Sequence, residues 1–190
     1  MEVRVTPTEL PEVLLVETDF IADERGFFLE TYHRDQYRAH GITDEFVQDN
    51  HSRSARGVLR GIHYQDFRQP QAKLVRCTAG TILDVAIDLR AGSPRFGRWV
   101  AVELNPANKH QLYVPTGFGH AFLALEEGSE VQYRCSSFYA PETEGSIRWD
   151  DPGIGIRWPI TEPVLSARDA DAPSFAQYQQ SPAFRFEPRR

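Results

Sequence analysis

The chain has few cysteines, no long apolar run and no excess of positive charge. Its 190 residues include two cysteines, Cys77 and Cys135. Neither belongs to a C-x-x-C or comparable metal-ligand spacing, so both are expected as small buried apolar side chains. A reducing cytoplasm is the simplest setting for so few thiols. No segment is long enough to span a bilayer and no N-terminal run resembles a signal peptide, so no membrane partner is expected. The net charge is −6, which gives no global field for nucleic acid. An anionic ligand would have to be held by a local cluster of cations. No repeat, low-complexity tract or linker interrupts the chain, and residues 1–190 read as one domain with ample length for a core.

What is present is mostly β. Leu74–Cys77, Thr81–Leu89, Trp99–Leu104, Gln111–Val114, Ala121–Leu125 and Glu130–Tyr139 are short runs rich in β-branched and aromatic residues. Turn formers such as Gly92-Ser93-Pro94, Asn105-Pro106 and Pro115-Thr116-Gly117 separate them. Short strands at this spacing predict a sandwich or closed barrel. One short helix is expected over Asp35–His40, stopped by Gly41, and a second after the capping residue Ser166. The polar tail over 177–190 is expected on the surface.

The densest chemistry lies in Asn50 to Gln65. Arg53, Arg56 and Arg60 carry planar cationic forks that fit phosphate, and the strand-like run ends on His63, which can exchange a proton near neutral pH. A solvated arginine face and a structural histidine are the plainer readings. Strict alternation puts Arg60 and His63 on opposite faces. If both serve one ligand, the strand must bulge or end near Gly61, a residue that permits it. Alternation also sets Lys73, Val75 and Cys77 on one face, and Val131, Tyr133 and Cys135 on another. If both faces look inward, an ammonium, a phenol and two thiols converge. The plainer alternative is a snorkelling lysine and a core tyrosine. Asp23 to Glu30 reads as a turn entering a strand, and Tyr139 to Glu144 as a loop at a strand end.

Pro115-Thr116-Gly117-Phe118-Gly119-His120 has the spacing P-x-G-x-x-H and resembles the second motif of cupin jelly rolls. The only match to the first motif, His63-Tyr64-Gln65, lacks a second histidine and a downstream Glu, so a metal is not expected. Taken in order, the pieces DERGFFLETY, QDNHSRSARGVLRGIHYQ, AKLVRCTAG, DVAIDLRAGSPRFGRWVAVEL, NKHQLYVPTGFGHAFLAL, YAPETEGSIRWDDPGIGIRWP and LSARD resemble the dTDP-4-dehydrorhamnose 3,5-epimerase family of the cupin superfamily. They span about residues 20–169.

That resemblance implies an all-β, cupin-type jelly-roll barrel or sandwich with a few short helices, working as a homodimer without metal or organic cofactor. It implies inversion of C3 and C5 of dTDP-4-dehydro-6-deoxy-D-glucose to give dTDP-4-dehydro-L-rhamnose. By motif, His63 would be the general base, oriented by Asp169. Lys73 would face the developing enolate, and Tyr133 would donate a proton from the opposite side. Arg25, Glu30, Gln48, Asn50, Arg60, His120, Glu144 and Arg168 would bind the nucleotide sugar. Tyr139 would stack on thymine with Phe28 nearby. The chain departs from the family pattern at Ala72, Gly119, Ala121, Phe138 and Arg168. These positions shape the pocket, so inversion of one carbon only stays open beside the 3,5-reaction. A 3,4-ketoisomerase and a non-catalytic sugar-nucleotide-binding cupin are the other readings.

Overall fold

In the computed structural model, residues 1–187 are described. They form fifteen strands and three short helices. The N-terminal third contains β1 (Val3–Pro7), β2 (Leu14–Thr18), β3 (Phe20–Asp23), β4 (Gly26–Leu29), α1 (Arg34–Ala39), β5 (Gln48–Ser54) and β6 (Leu59–Gln65). There follow β7 (Lys73–Ala79), β8 (Ile82–Asp88), β9 (Arg90–Ala91), β10 (Trp99–Leu104), β11 (Gln111–Val114), β12 (Phe118–Ala124) and β13 (Ser129–Cys135). The chain ends with β14 (Glu144–Ser146), α2 (Ala167–Ala170), α3 (Phe175–Gln180) and β15 (Phe184–Arg185).

Two sheets make the body. A six-stranded sheet runs β1-β2-β11-β7-β13-β5, and a five-stranded sheet runs β10-β8-β12-β6-β14. Every pairing within them is antiparallel. The architecture is therefore a jelly-roll sandwich rather than a closed barrel. Its central core takes Val75, Leu112, Val114 and Val131 from one sheet and Ile82, Ala86, Val100, Phe118 and Phe122 from the other. At roughly 25 cal/mol per Å² of apolar surface, burial of this kind is the main stabilising term.

Each sheet is also covered outside. The segment around α1 lays Tyr37 and Ile42 over Val16, Leu74 and Tyr113. The C-terminal segment lays Ile154, Phe175, Tyr178 and Phe184 over Ile62, Val85, Ile87 and Ala121. This second cover differs from the expected surface tail. The outer face of β8 and β12 is apolar and has to be shielded from water, so Tyr178 and Phe184 are buried. The Tyr178 hydroxyl donates to the Leu89 carbonyl at 2.6 Å. Residues 188–190 of that tail lie outside the described residues.

The strand expected over Glu130–Tyr139 ends at Cys135, and the one expected from Ala121 begins at Phe118. Helix α1 lies one residue earlier than expected, and Ser166 caps α2, its hydroxyl accepting from Asp169 N–H at 3.1 Å. The capping serine satisfies one of the free amides at the helix start. Helix α3, with a full capping box from Ser174 and Gln177, was not foreseen.

Candidate active site

The site begins with a bulge in β6. His63 pairs with His120, but Arg60 pairs with Phe122, so three steps along β6 match two along β12. One residue is extra, and the side chains beyond it change face. Glycine is required there. A Cβ on Gly61 would stand 2.6 Å from Ala121 Cβ and 2.7 Å from the His120 carbonyl, and its φ is +121°. The bulge brings Arg60 and His63, which alternation separates, into the wall of one cavity. Arg60 is steadied by donating to Ser54 Oγ and to the Arg53 carbonyl, each at 3.2 Å.

That cavity has a volume of about 430 Å³ and is walled by Arg60, His63, Lys73, His120, Tyr133 and Asp169, among others. A second compartment of about 280 Å³ adjoins it, lined by Gln48, Asn50, Gln65, Tyr139 and Glu144. His63, Lys73 and Tyr133 line both and so form the waist between them. His63 comes from the five-stranded sheet, Lys73 and Tyr133 from the six-stranded one. The two expected inward faces of β7 and β13 do converge: Val75, Cys77, Val131 and Tyr133 belong to one cluster. The Lys73 ammonium lies 5.8 Å from the centre of the Tyr133 ring. Cys77 and Cys135 are free, buried thiols.

His63 Nε2 and Asp169 Oδ1 are 2.5 Å apart. Burial works against the Asp169 charge. The His63 contact, the Ser166 hydroxyl and the Gly61 amide outweigh it and hold the carboxyl below its usual range. Burial pushes the Lys73 ammonium down, and the acidic groups around it, Cys135, Asp84 and Glu144, work against that shift. Burial raises the Tyr133 phenol, so that it keeps its proton at neutral pH. Behind the waist, His120 Nε2 meets Asp84 Oδ1 at 2.7 Å. Burial lowers His120, against the pull of Asp84. Asp84 was not singled out from the sequence. The signal was there: in ILDVAID it occupies the same strand face as the core residues Ile82 and Ala86.

Apart from Arg60, Lys73 and His120 in the main cavity wall, the expected ligand-binding residues divide into two groups. Gln48, Asn50, Tyr139, Glu144 and Arg168 form one connected rim. Gln48 donates to Asn50 at 3.0 Å and accepts from the Tyr139 amide at 3.0 Å. The Tyr139 hydroxyl donates to Glu144 at 2.7 Å, and Arg168 pairs with the same carboxylate at 2.6 Å. Burial opposes the Glu144 charge, but Arg168 and Tyr139 hold its pKa down. Tyr139 itself is exposed, its ring free to take a planar partner.

Arg25, Phe28 and Glu30 do not line this cavity. Strands β3 and β4 pair only with each other. Arg25 is held by Asp23 across the turn, Phe28 is 67 % exposed, and Glu30 accepts from Gln36 at 3.3 Å. Among the described residues, no three His, Cys, Asp or Glu side chains are grouped to hold a metal ion. No helix among them is long and apolar enough to cross a membrane.

A base oriented by a carboxylate, a phenol on the facing sheet and an ammonium between them can remove a proton from one side of a bound molecule. The same set can stabilise an oxyanion and return a proton from the other side. Comparison with known proteins fits this chemistry. The family model described as dTDP-4-dehydrorhamnose 3,5-epimerase matches residues 7–177. The enzyme of that name from Salmonella typhimurium is 48% identical over 175 residues, covering 91% of this chain and 96% of its own. The crystal structure of dTDP-6-deoxy-D-glucose-3,5-epimerase RmlC from Legionella pneumophila Philadelphia 1, in complex with dTDP-4-keto-L-rhamnose, superposes with a TM-score of 0.94. It is 44% identical, covering 98% of this chain and 100% of its own. ChmJ, a 3'-monoepimerase from Streptomyces bikiniensis in complex with dTDP-quinovose, is 38% identical with a TM-score of 0.85, covering 92% and 89%. With this waist of His63, Lys73 and Tyr133 and with these relatives, the chain belongs to the dTDP-4-dehydrorhamnose 3,5-epimerase family.

Proposed function

We propose that this protein inverts C3 and C5 of dTDP-4-dehydro-6-deoxy-D-glucose, giving dTDP-4-dehydro-L-rhamnose for rhamnose synthesis. The observation that carries the reading is the waist: the His63–Asp169 pair on one side and Tyr133 on the other. The C4 ketone of the sugar acidifies the hydrogens on both neighbouring carbons. His63 takes one as a proton, and the C–H electron pair moves through the ring carbon to the carbonyl oxygen. Lys73 meets the resulting enolate oxygen with its ammonium, the kind of fixed electrostatic stabilisation that favours the transition state over the ketone. Tyr133 then gives its proton to the opposite face of the carbon. The imidazolium then releases its proton to water and the phenolate takes one back, which resets both groups. Each proton-transfer group is worth about 10²–10⁴-fold.

Arg60 and Arg168 lie where a diphosphate can reach both, and Tyr139 offers a face for thymine beside Gln48 and Asn50. Arg25, Phe28 and Glu30 serve the cavity of a second copy. The ribbon of β3 and β4 exposes Phe20, Ile21, Phe27 and Phe28. A lone two-stranded ribbon is marginal in water, and a homodimer covers its apolar side chains.

Proton NMR of the substrate with enzyme in D₂O tests the assignment. Deuterium at both C3 and C5, with a product that a rhamnose-forming reductase accepts, is expected. Deuterium at one carbon alone would instead make this a mono-epimerase, the reaction of ChmJ. Loss of all exchange in His63→Ala, with folding intact, is expected as well.

A further inference from the structure

Asp84 lies on β8, its side chain fully enclosed between the sheets. One carboxylate oxygen accepts from His120 Nε2, and the other, Oδ2, is buried without a hydrogen-bond partner among the described residues. A carboxylate oxygen left in this state costs free energy unless a positive group balances it. The Lys73 ammonium lines the adjoining cavity, has no hydrogen bond to the described residues, and feels the Asp84 charge. The geometry joins three strands here. Asp84 stands beside Phe122 on β12, His120 stands beside His63 on β6, and Lys73, from β7 of the other sheet, lines the same cavity as His120 and His63.

We propose that Asp84 is a positioning residue for Lys73: its free carboxylate oxygen keeps the ammonium charged in the cavity, while the other oxygen fixes the ring of His120 behind it. The inference rests on the reading of Lys73 as the enolate-facing cation. With Nε2–H donated to Asp84, a neutral His120 presents Nδ1 only as an acceptor, so it adds no second positive charge next to Lys73. The other groups that face Lys73 do not substitute for Asp84. Cys135, opposite it on β13, is a thiol that burial keeps protonated. Glu144 is engaged by Arg168 and Tyr139, and Tyr133 is a neutral phenol. His63 is bound to Asp169, and β11 sets only Val114 opposite Lys73.

Asp84→Asn tests this, because it keeps the shape and an acceptor for His120 but removes the charge. Titration of the Lys73 Nζ by NMR with labelled lysine, assigned through Lys73→Met, needs no substrate. In Asp84→Asn the Lys73 transition is expected at least one pH unit lower. The alkaline fall in kcat should move with it, giving about a tenfold loss at a pH where the parent enzyme is still fully active. A folded Asp84→Asn protein with an unmoved Lys73 transition would overturn the proposal. If that variant does not fold, the parent protein decides: a Lys73 that is already neutral at pH 7 would overturn it, and one that is charged there supports it. Absence of deuterium exchange at C3 and C5 in the parent enzyme would strike the proposed reaction and leave the Lys73 titration to be judged separately.

Discussion

His63 Nε2 lies 2.5 Å from Asp169 Oδ1, joining a strand of the five-stranded sheet to a four-residue helix 106 positions later. Asp169 is almost wholly buried, held by Ser166 and charged below the usual carboxylate range. A carboxylate fixed in this way holds the imidazole in one orientation and stabilises the imidazolium formed on proton uptake. The opposite ring nitrogen, Nδ1, is left for the substrate side.

Asp169→Asn is expected to lower kcat by about 10²-fold or more while substrate binding changes little. The stability effect has a definite sign. Because the folded pKa of Asp169 is depressed, its contribution is present above the unfolded value near 3.9 and is lost as pH falls through the folded one. Urea unfolding from pH 7 to pH 3 should show the parent more stable than the variant near neutrality, with the gap closing below about pH 4. A gap independent of pH would mean that charge on Asp169 is not its source.

Tyr133→Phe separates the two faces. His63 still removes the proton, so solvent deuterium should continue to enter the sugar. Inversion should fall by about 10²–10⁴-fold, because nothing delivers a proton from the six-stranded sheet. Mass spectrometry for deuterium beside NMR for configuration reads the two events apart. Inversion at the parent rate would remove Tyr133 from the mechanism.

Gly61→Ala is expected to destabilise the fold by about 2–5 kcal/mol, since a methyl group there meets Ala121 and the His120 carbonyl at a positive φ. Activity of the folded fraction should fall too, as the bulge aligns Arg60 with His63. Denaturant midpoints with single-turnover rates measure both. A variant as stable as the parent would contradict the packing described here.

Tyr139→Ala should weaken dTDP binding by about 1–3 kcal/mol through lost stacking. Tyr139→Phe should keep most of the affinity, losing only the hydroxyl contact to Glu144. Calorimetry with dTDP discriminates stacking from hydrogen bonding, and equal losses in both variants would favour the hydroxyl.

Exchange between subunits tests the reach of Arg25. Alone, Arg25→Ala should be weakly active and His63→Ala inactive. Mixed and refolded together, they should recover about a quarter of parental activity, because half the dimers then hold one intact site of two. No recovery would place Arg25 outside the partner's cavity.

Much of this protein is settled locally. The turn formers and β-branched runs fix most central strands, because those preferences act over a few residues: β10 and β11 fall where the sequence places them. Alternation groups Lys73 with Val75 and Cys77, and Tyr133 with Val131 and Cys135, but only the packing of the two sheets makes those faces inward. The ordered motifs point to the family and to the His63, Tyr139 and Glu144 segments. Other features depend on contacts distant in sequence. The pairing of β6 with β12 decides that an extra residue at Gly61 turns Arg60 toward His63. The apolar outer face of the five-stranded sheet decides that Tyr178 and Phe184 fold inward, though their own segment reads as polar. Asp84 acquires meaning only when His120 arrives beside it from another strand. The ribbon carrying Arg25 and Phe28 stands clear of its own cavity, because its strands pair only with each other and Ile21 and Phe28 stay largely exposed.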